Sequence, residues 1–209
     1  MNKKGFTLIE VLGVIILLGV LSMITVPVVR DLIKSSRKEL YEEQIEQIEN
    51  GLKNWAHDNI FLLPEDNSVV TLSLGQLAQS GHVNYKIENP KNNKCFSTES
   101  ELTITKYNNN YVYEVKDISD VDCDDLEELP TIKLSGNIVE YLNIGDDYTE
   151  MGVSAKSYDG SRDISDSVTQ TITGDGTSIS TIAPATYNIT YKVNDNGKIM
   201  SAIRTIIVK

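Results

Sequence analysis

The residue best placed to do chemistry is Glu10, a carboxylate near the start of an apolar run that opens at Phe6. From Val11 to Val29 the chain carries no charge. As a helix that stretch measures about 28 Å, close to the thickness of a bilayer core. A carboxylate in hydrocarbon is costly, and a cation brought to it from another segment removes the cost. Its chemistry is therefore charge pairing. Cys95 and Cys123 form a second reactive set, suited either to one disulfide in an oxidising exterior or to two unpaired thiols. The carboxylate run from Asp120 to Glu128 offers oxygen ligands for calcium but no glycine to fold around an ion, so it reads first as a solvated linker. Asp146, Asp147, Asp159 and Asp163 are also possible calcium ligands, at places where turns commonly use aspartate.

Several function classes are excluded on the same grounds. Neither the two cysteines nor the two histidines stand at a zinc spacing. There is no phosphate-binding glycine loop, dinucleotide fingerprint or nucleophile elbow, so the reading is no enzyme, with no cofactor and no metal. A net charge of −11 repels phosphate backbones and disfavours direct nucleic-acid contact.

A secretory signal would be shorter and end in a small-residue site, which Ser22-Met23-Ile24-Thr25 does not supply. A plain anchor explains the length of the run but not Glu10. Taken together, Lys3-Lys4-Gly5-Phe6-Thr7-Leu8-Ile9-Glu10 resembles the processing and methylation site of type IV pilins and pseudopilins. The resemblance implies that residues 1–5 are a leader, cut after Gly5 by a prepilin peptidase that then methylates the amino group of Phe6. It implies that Glu10 pairs with the amino terminus of a neighbouring subunit, sets the axial register and helps draw each subunit from the membrane. Pseudopilins at a filament tip commonly lack this glutamate, so a place below the tip is implied. The partners would be other pilin subunits, the peptidase, the pilus assembly machinery and the membrane. The chain would cross the cytoplasmic membrane once, with its C-terminal part outside, before joining a surface filament.

The flanking charges complicate this orientation. Lys3 and Lys4 precede the span, whereas Arg30, Lys34, Arg37 and Lys38 follow it, so counting cations leaves the topology ambiguous or reversed. The leader motif decides it, and the outer cations are expected to meet anionic headgroups before assembly and acidic neighbours afterwards. Pro27 removes an N–H from the helix and Gly19 weakens it by about 1 kcal/mol relative to alanine. The pilin resemblance implies that Gly19 to Pro27 loses helicity in a filament; a simple kink is the alternative.

Beyond Asp31, Tyr41, Ile45, Ile48, Leu52 and Trp55 form one apolar stripe, suited to docking on a sheet or to a short coiled-coil seam. The expected helix, 6–63, ends at Leu63-Pro64 and is about 87 Å long. A head over 64–123 should hold a short helix, Leu74 to Ser80, capped by Ser73 and Gln76 and closed by Gly81. It should also hold a hairpin of Leu102–Tyr107 and Tyr111–Lys116, joined by a three-residue turn at Asn108-Asn109-Asn110. Residues 124–130 read as the acidic linker.

From 131 to 209, short Thr/Ile/Val/Tyr-rich runs alternate with turn residues, giving seven expected strands. They are Thr131–Leu134, Ile138–Tyr141, Val153–Ser157, Val168–Thr173, Ser178–Ile182, Thr186–Val193 and Ile199–Val208. That count suits an Ig-like sandwich. Pro130-x-Ile132-x-Leu134-x-Gly136, Gly145-x-x-Tyr148, Gly152-Val153-x-Ala155, Tyr187-x-Ile189-x-Tyr191 and Arg204-Thr205-Ile206 resemble a bacterial surface Ig-like domain. The class is α+β: a spine helix, a small α/β head and an all-β module. The function read from it is a structural, minor subunit of a type IV pilus or pseudopilus-like filament that displays the module. A membrane-anchored adhesin binding glycan or protein is the alternative.

Overall fold

The structure, a computed structural model, describes residues 5–65, 68–108 and 110–209. Lys3 and Lys4 of the expected leader, and Asn109 of the expected turn, lie outside the described residues. Helix α1 (Leu8–Asp58) has 51 residues, about 76 Å of rise. It opens on Thr7, whose side chain accepts from the Glu10 N–H while Glu10 caps the Thr7 N–H in return.

The stripe packs against a sheet rather than forming a seam. Ile48, Leu52, Trp55 and Ala56 are buried, with Tyr41 and Ile45 partly so. Gly51 sits on this face because a Cβ there would lie 2.3 Å from Val83 Cγ1 and 2.9 Å from the His82 carbonyl oxygen. The α-helix stops at Asp58, short of the expected Leu63. The Asn59 side-chain amide takes the Trp55 carbonyl at 2.8 Å, and a 3-10 turn, Ile60–Leu62, completes the descent.

In the head, β1 (Val69–Ser73) leads directly into α2 (Leu74–Gln79), capped by Ser73 and Gln76 with Gly81 at φ +83° beyond it. Strands β2 (Glu88–Asn89) and β3 (Lys94–Phe96) precede the hairpin of β4 (Glu101–Tyr107) and β5 (Asn110–Asp117). Tyr107 pairs with Asn110, so the hairpin loop is two residues rather than the expected three, with Asn108 at φ +45°. The sheet order is β1-β4-β5, and β6 (Asp120–Val121) joins β2 and β3 in a second small sheet. A 3-10 turn, Cys123–Leu126, follows. The acidic stretch is therefore not a free linker: Leu126 is buried, and Lys198 and Lys86 reach Asp125 and Glu127.

The C-terminal module is a β-sandwich. Strands β7 (Thr131–Leu134) and β9 (Val153–Lys156) pair with each other. Opposite them lies a sheet ordered β10-β11-β12-β8, comprising Thr169–Gly174, Ala185–Asp195, Lys198–Val208 and Val139–Leu142. Ser178–Ile182 is not a strand. Gly174, at φ +105°, and Asp175, whose carboxylate accepts from Thr186 N–H at 2.6 Å, turn the chain off the sheet edge. The loop is held instead by the Tyr187 hydroxyl on the Ser180 carbonyl and by Gly145 N–H on that of Thr181.

Strand β12 is buried on both faces and fuses the two units. Met200, Ala202, Ile206 and Val208 enter the module core, while Ile207 and Val139 join the head core. The contact carries bonds as well as apolar area. Thr205 Oγ1 accepts from Thr71 N–H at 3.0 Å, and Ser73 Oγ donates to the Ser201 carbonyl at 2.7 Å. Gln76 clasps the Ile203 backbone through both amide atoms, at 2.9 and 2.7 Å, and Gln79 does the same to Ile132 at 2.8 and 3.2 Å. Two side-chain amides, each bonded to the backbone of the module through both of its polar atoms, fix the joint without a flexible tether.

Candidate functional site: an unsheathed apolar helix and a docked module

Among the described residues, nothing buries the first half of α1. Residues 5–40 are all exposed, Phe6 at 87% and Leu8 at 88%. An 18-residue window of this helix reaches a mean hydropathy of 2.7 with none of it buried. Apolar surface on this scale is stable only against lipid or other protein. The helix suits membrane anchoring and surface display.

Glu10 is not idle on this surface. Its Oε2 accepts from Thr7 N–H at 2.9 Å and from the Thr7 hydroxyl at 2.8 Å. The expected pairing carboxylate is thus already held by its own helix N-terminus, a use that the Thr-x-x-Glu spacing encodes. Gly5 meets nothing within 4 Å of an added Cβ, so the Gly5-Phe6 junction stands clear of the fold. Gly19 and Pro27 lie within an unbroken helix. Ser22 and Thr25 hydroxyls donate to the Leu18 and Leu21 carbonyls within that segment, at 2.8 and 3.1 Å.

In the head, Cys95 and Cys123 are joined, with 4.9 Å between their Cα atoms and 28 residues of sequence separation. Loop-closure entropy makes the bond worth about 3.5 kcal/mol. Replacing both cysteines with serine should lower the melting temperature of the detergent-solubilised chain by about 10 °C. A shift of less than about 2 °C in calorimetry would show that the head holds together unaided. Three of the four aspartates considered for calcium accept bonds within their own turns. Asp159 accepts from Ser157 and Ser161, which holds it down at about 2; Asp163 accepts from Ser165, and Asp146 from Asn143.

The module contains a buried charge cluster not anticipated as a unit. Arg204, fully buried, contacts Glu150 at 2.6 Å and Glu140 at 3.9 Å, and donates to the Ser135 carbonyl. Burial pushes Glu150 up, but hydrogen bonds from Tyr148 and Gly152 N–H and the Arg204 charge outweigh it, leaving the carboxyl below its usual range. Burial raises Glu140, whose Oε1 has no hydrogen-bond partner, and Arg204 only partly opposes that. A carboxyl raised on folding stabilises the native state at low pH, and that contribution is lost as pH climbs through and above the ordinary glutamate range. Glu140→Gln should therefore melt near wild type at pH 4 and above it at pH 7. Parallel melting curves across that range would reject the assignment.

The comparisons match two parts of the chain. The family described as "Prokaryotic N-terminal methylation motif" matches residues 1–26, and "Bacterial surface protein, Ig-like domain" matches residues 132–208. The chain thus combines a pilin-type N-terminal methylation motif with a C-terminal surface Ig-like domain, as a pilus or surface subunit would. Among solved structures, the lipoprotein BT2262 from Bacteroides thetaiotaomicron is similar at 30% identity over 38% of this chain and 37% of that one, with a TM-score of 0.32. The match spans little more than a third of that protein's length. No curated protein matches.

Proposed function

We propose that the chain is a minor subunit of a type IV pilus or pseudopilus-like filament that carries its Ig-like module at the cell surface. The observation that carries this reading is the unsheathed helix: free of charge from Val11 to Val29 and exposed throughout residues 5–40, with a carboxylate at its start and a rigid load at its end. In this reading prepilin peptidase cuts after Gly5 and methylates Phe6. The helix waits in the cytoplasmic membrane as a single span, with the head and module outside. On assembly it leaves lipid for the helices of other subunits, and Glu10 exchanges its Thr7 bonds for a neighbour's methylated amino terminus. The segment from Gly19 to Pro27 is the one that loosens when helices crowd, because its glycine and proline make it the least costly to unwind. The docked joint keeps the module at a fixed angle to the spine.

Mass spectrometry of the mature protein tests the first step, with N-methylated Phe6 expected as residue one. An intact Met1 in processing-competent cells, or cleavage after Ser22, would sink the reading. Shearing separates it from the anchored adhesin: a filament subunit leaves with other pilins, while an anchored monomer stays with the membrane.

A further inference from the structure

Immediately outside the span, α1 and Lys91 of the 89–93 loop border an open groove of about 740 Å³. Its walls carry Arg30, Lys34, Arg37, Lys38 and Lys91, all exposed, against the single carboxylate of Asp31. The chain as a whole is strongly acidic, yet among the described residues Arg30, Lys34 and Arg37 make no ion pair; Lys38 alone has one, with Glu42 at 3.6 Å. Cations left unpaired among so many carboxylates are held for an anion from outside.

The groove is also built in place. Asp120 accepts from Asn89 at 3.0 Å and Asn92 at 2.7 Å, which fixes the loop carrying Lys91. The Arg37 guanidinium donates to the Lys91 carbonyl at 3.5 Å, and Lys91 Nζ lies 3.0 Å from the Tyr41 ring centroid. Position selects the anion. Arg30 follows Val29, the last residue of the charge-free span, and Lys38 lies about 12 Å further along the helix, the depth of a headgroup layer and its aqueous edge.

The geometry points to a binding site for the phosphate of an anionic phospholipid headgroup in the outer leaflet, occupied while the subunit waits in the membrane. It also gives a use to cations that stand on the wrong side of the span for the usual charge bias. The site rests on the membrane-anchored part of the proposed function and not on filament entry.

The test uses the full chain in single-copy lipid nanodiscs of pure phosphatidylcholine or of phosphatidylcholine with one third phosphatidylglycerol. Amine acetylation is followed by peptide mass spectrometry, with exposed Lys133 and Lys156 in the module as references. Lys34 and Lys91 should react about five-fold more slowly in the anionic discs. The protection should vanish at high salt, and Arg30→Gln with Arg37→Gln should abolish it while leaving the reference lysines unchanged. Equal rates in the two discs would overturn the site. So would equal protection in zwitterionic discs holding two copies, which makes a second copy the occupant, or protection by inorganic phosphate in micelles, which makes it a free-anion site. A chain that fails to enter discs would overturn both this site and the anchor. An unprocessed Met1 terminus would overturn the filament reading alone.

Discussion

Replacing Arg204 with alanine is expected to lower the melting temperature of the detergent-solubilised chain by about 10 °C or more, the largest loss of any single substitution in the module. Removing one member of a buried pair costs about 3–5 kcal/mol because the remaining charges stay buried without compensation. Here two carboxylates, Glu150 at 2.6 Å and Glu140 at 3.9 Å, are left facing each other. The damage should reach the head. Arg204 lies on β12 between Ile203, clasped by Gln76, and Thr205, bonded to Thr71. Calorimetry of the variant should therefore show one broadened, earlier transition rather than a melted module beside an intact head. The triple variant Arg204→Met, Glu140→Gln, Glu150→Gln should recover most of the loss, because a neutral cluster has no charge to strand. If the single and triple variants melt together, the cost comes from lost packing and not from charge.

The sequence shows local devices clearly and their second uses poorly. The Ser73–Gln76 cap is readable as Ser-x-x-Gln, but nothing nearby says that the same glutamine clasps Ile203, 127 residues away. Strand β1 escapes sequence reading because Val69-Val70-Thr71-Leu72 is short and runs straight into a helix. The near-continuous apolar run from Ile199 to Val208 is the pattern of a strand buried on both faces, and its burial on a head as well as a sandwich explains why alternation is absent. Ser178–Ile182 has the composition of a strand, but strand identity depends on partners, and Gly174 with Asp175 removes them. At the site, the N-terminal methylation motif is legible because its residues are contiguous. The cations of Arg30 to Lys38 are legible too, but their closure with Lys91 is not, because Arg37 meets Lys91 across 54 residues through a loop held by Asp120.

Replacing Glu10 with leucine should leave the folded head and module intact and reduce the chain in sheared filaments to background. Glu10 lies 31 residues before Tyr41, the first residue of the packed stripe, so no core contact is lost. Two effects oppose each other in the membrane. Removing a carboxylate from hydrocarbon favours insertion by about 2.5–3.5 kcal/mol on the insertion scale. Thr7 meanwhile loses the acceptor for its N–H and hydroxyl, a loss of about 1 kcal/mol from a broken cap. The net change favours insertion, so the variant should accumulate in membranes with the Cys95–Cys123 bond formed and the outer domains resistant to protease. Filament entry should fail all the same, because a methylated amino terminus arriving from the next subunit finds no counter-charge in a dry helix bundle. Thr7→Val separates the two uses of the carboxylate: it removes the hydroxyl of the cap but keeps Glu10, so filament incorporation should persist. In the proposed function cleavage uses the Gly5-Phe6 junction, so it should continue in both variants, which mass spectrometry of the membrane fraction checks. Glu10→Leu incorporated at the wild-type level would show that the carboxylate serves only to cap its own helix, and the anchored-adhesin reading would gain.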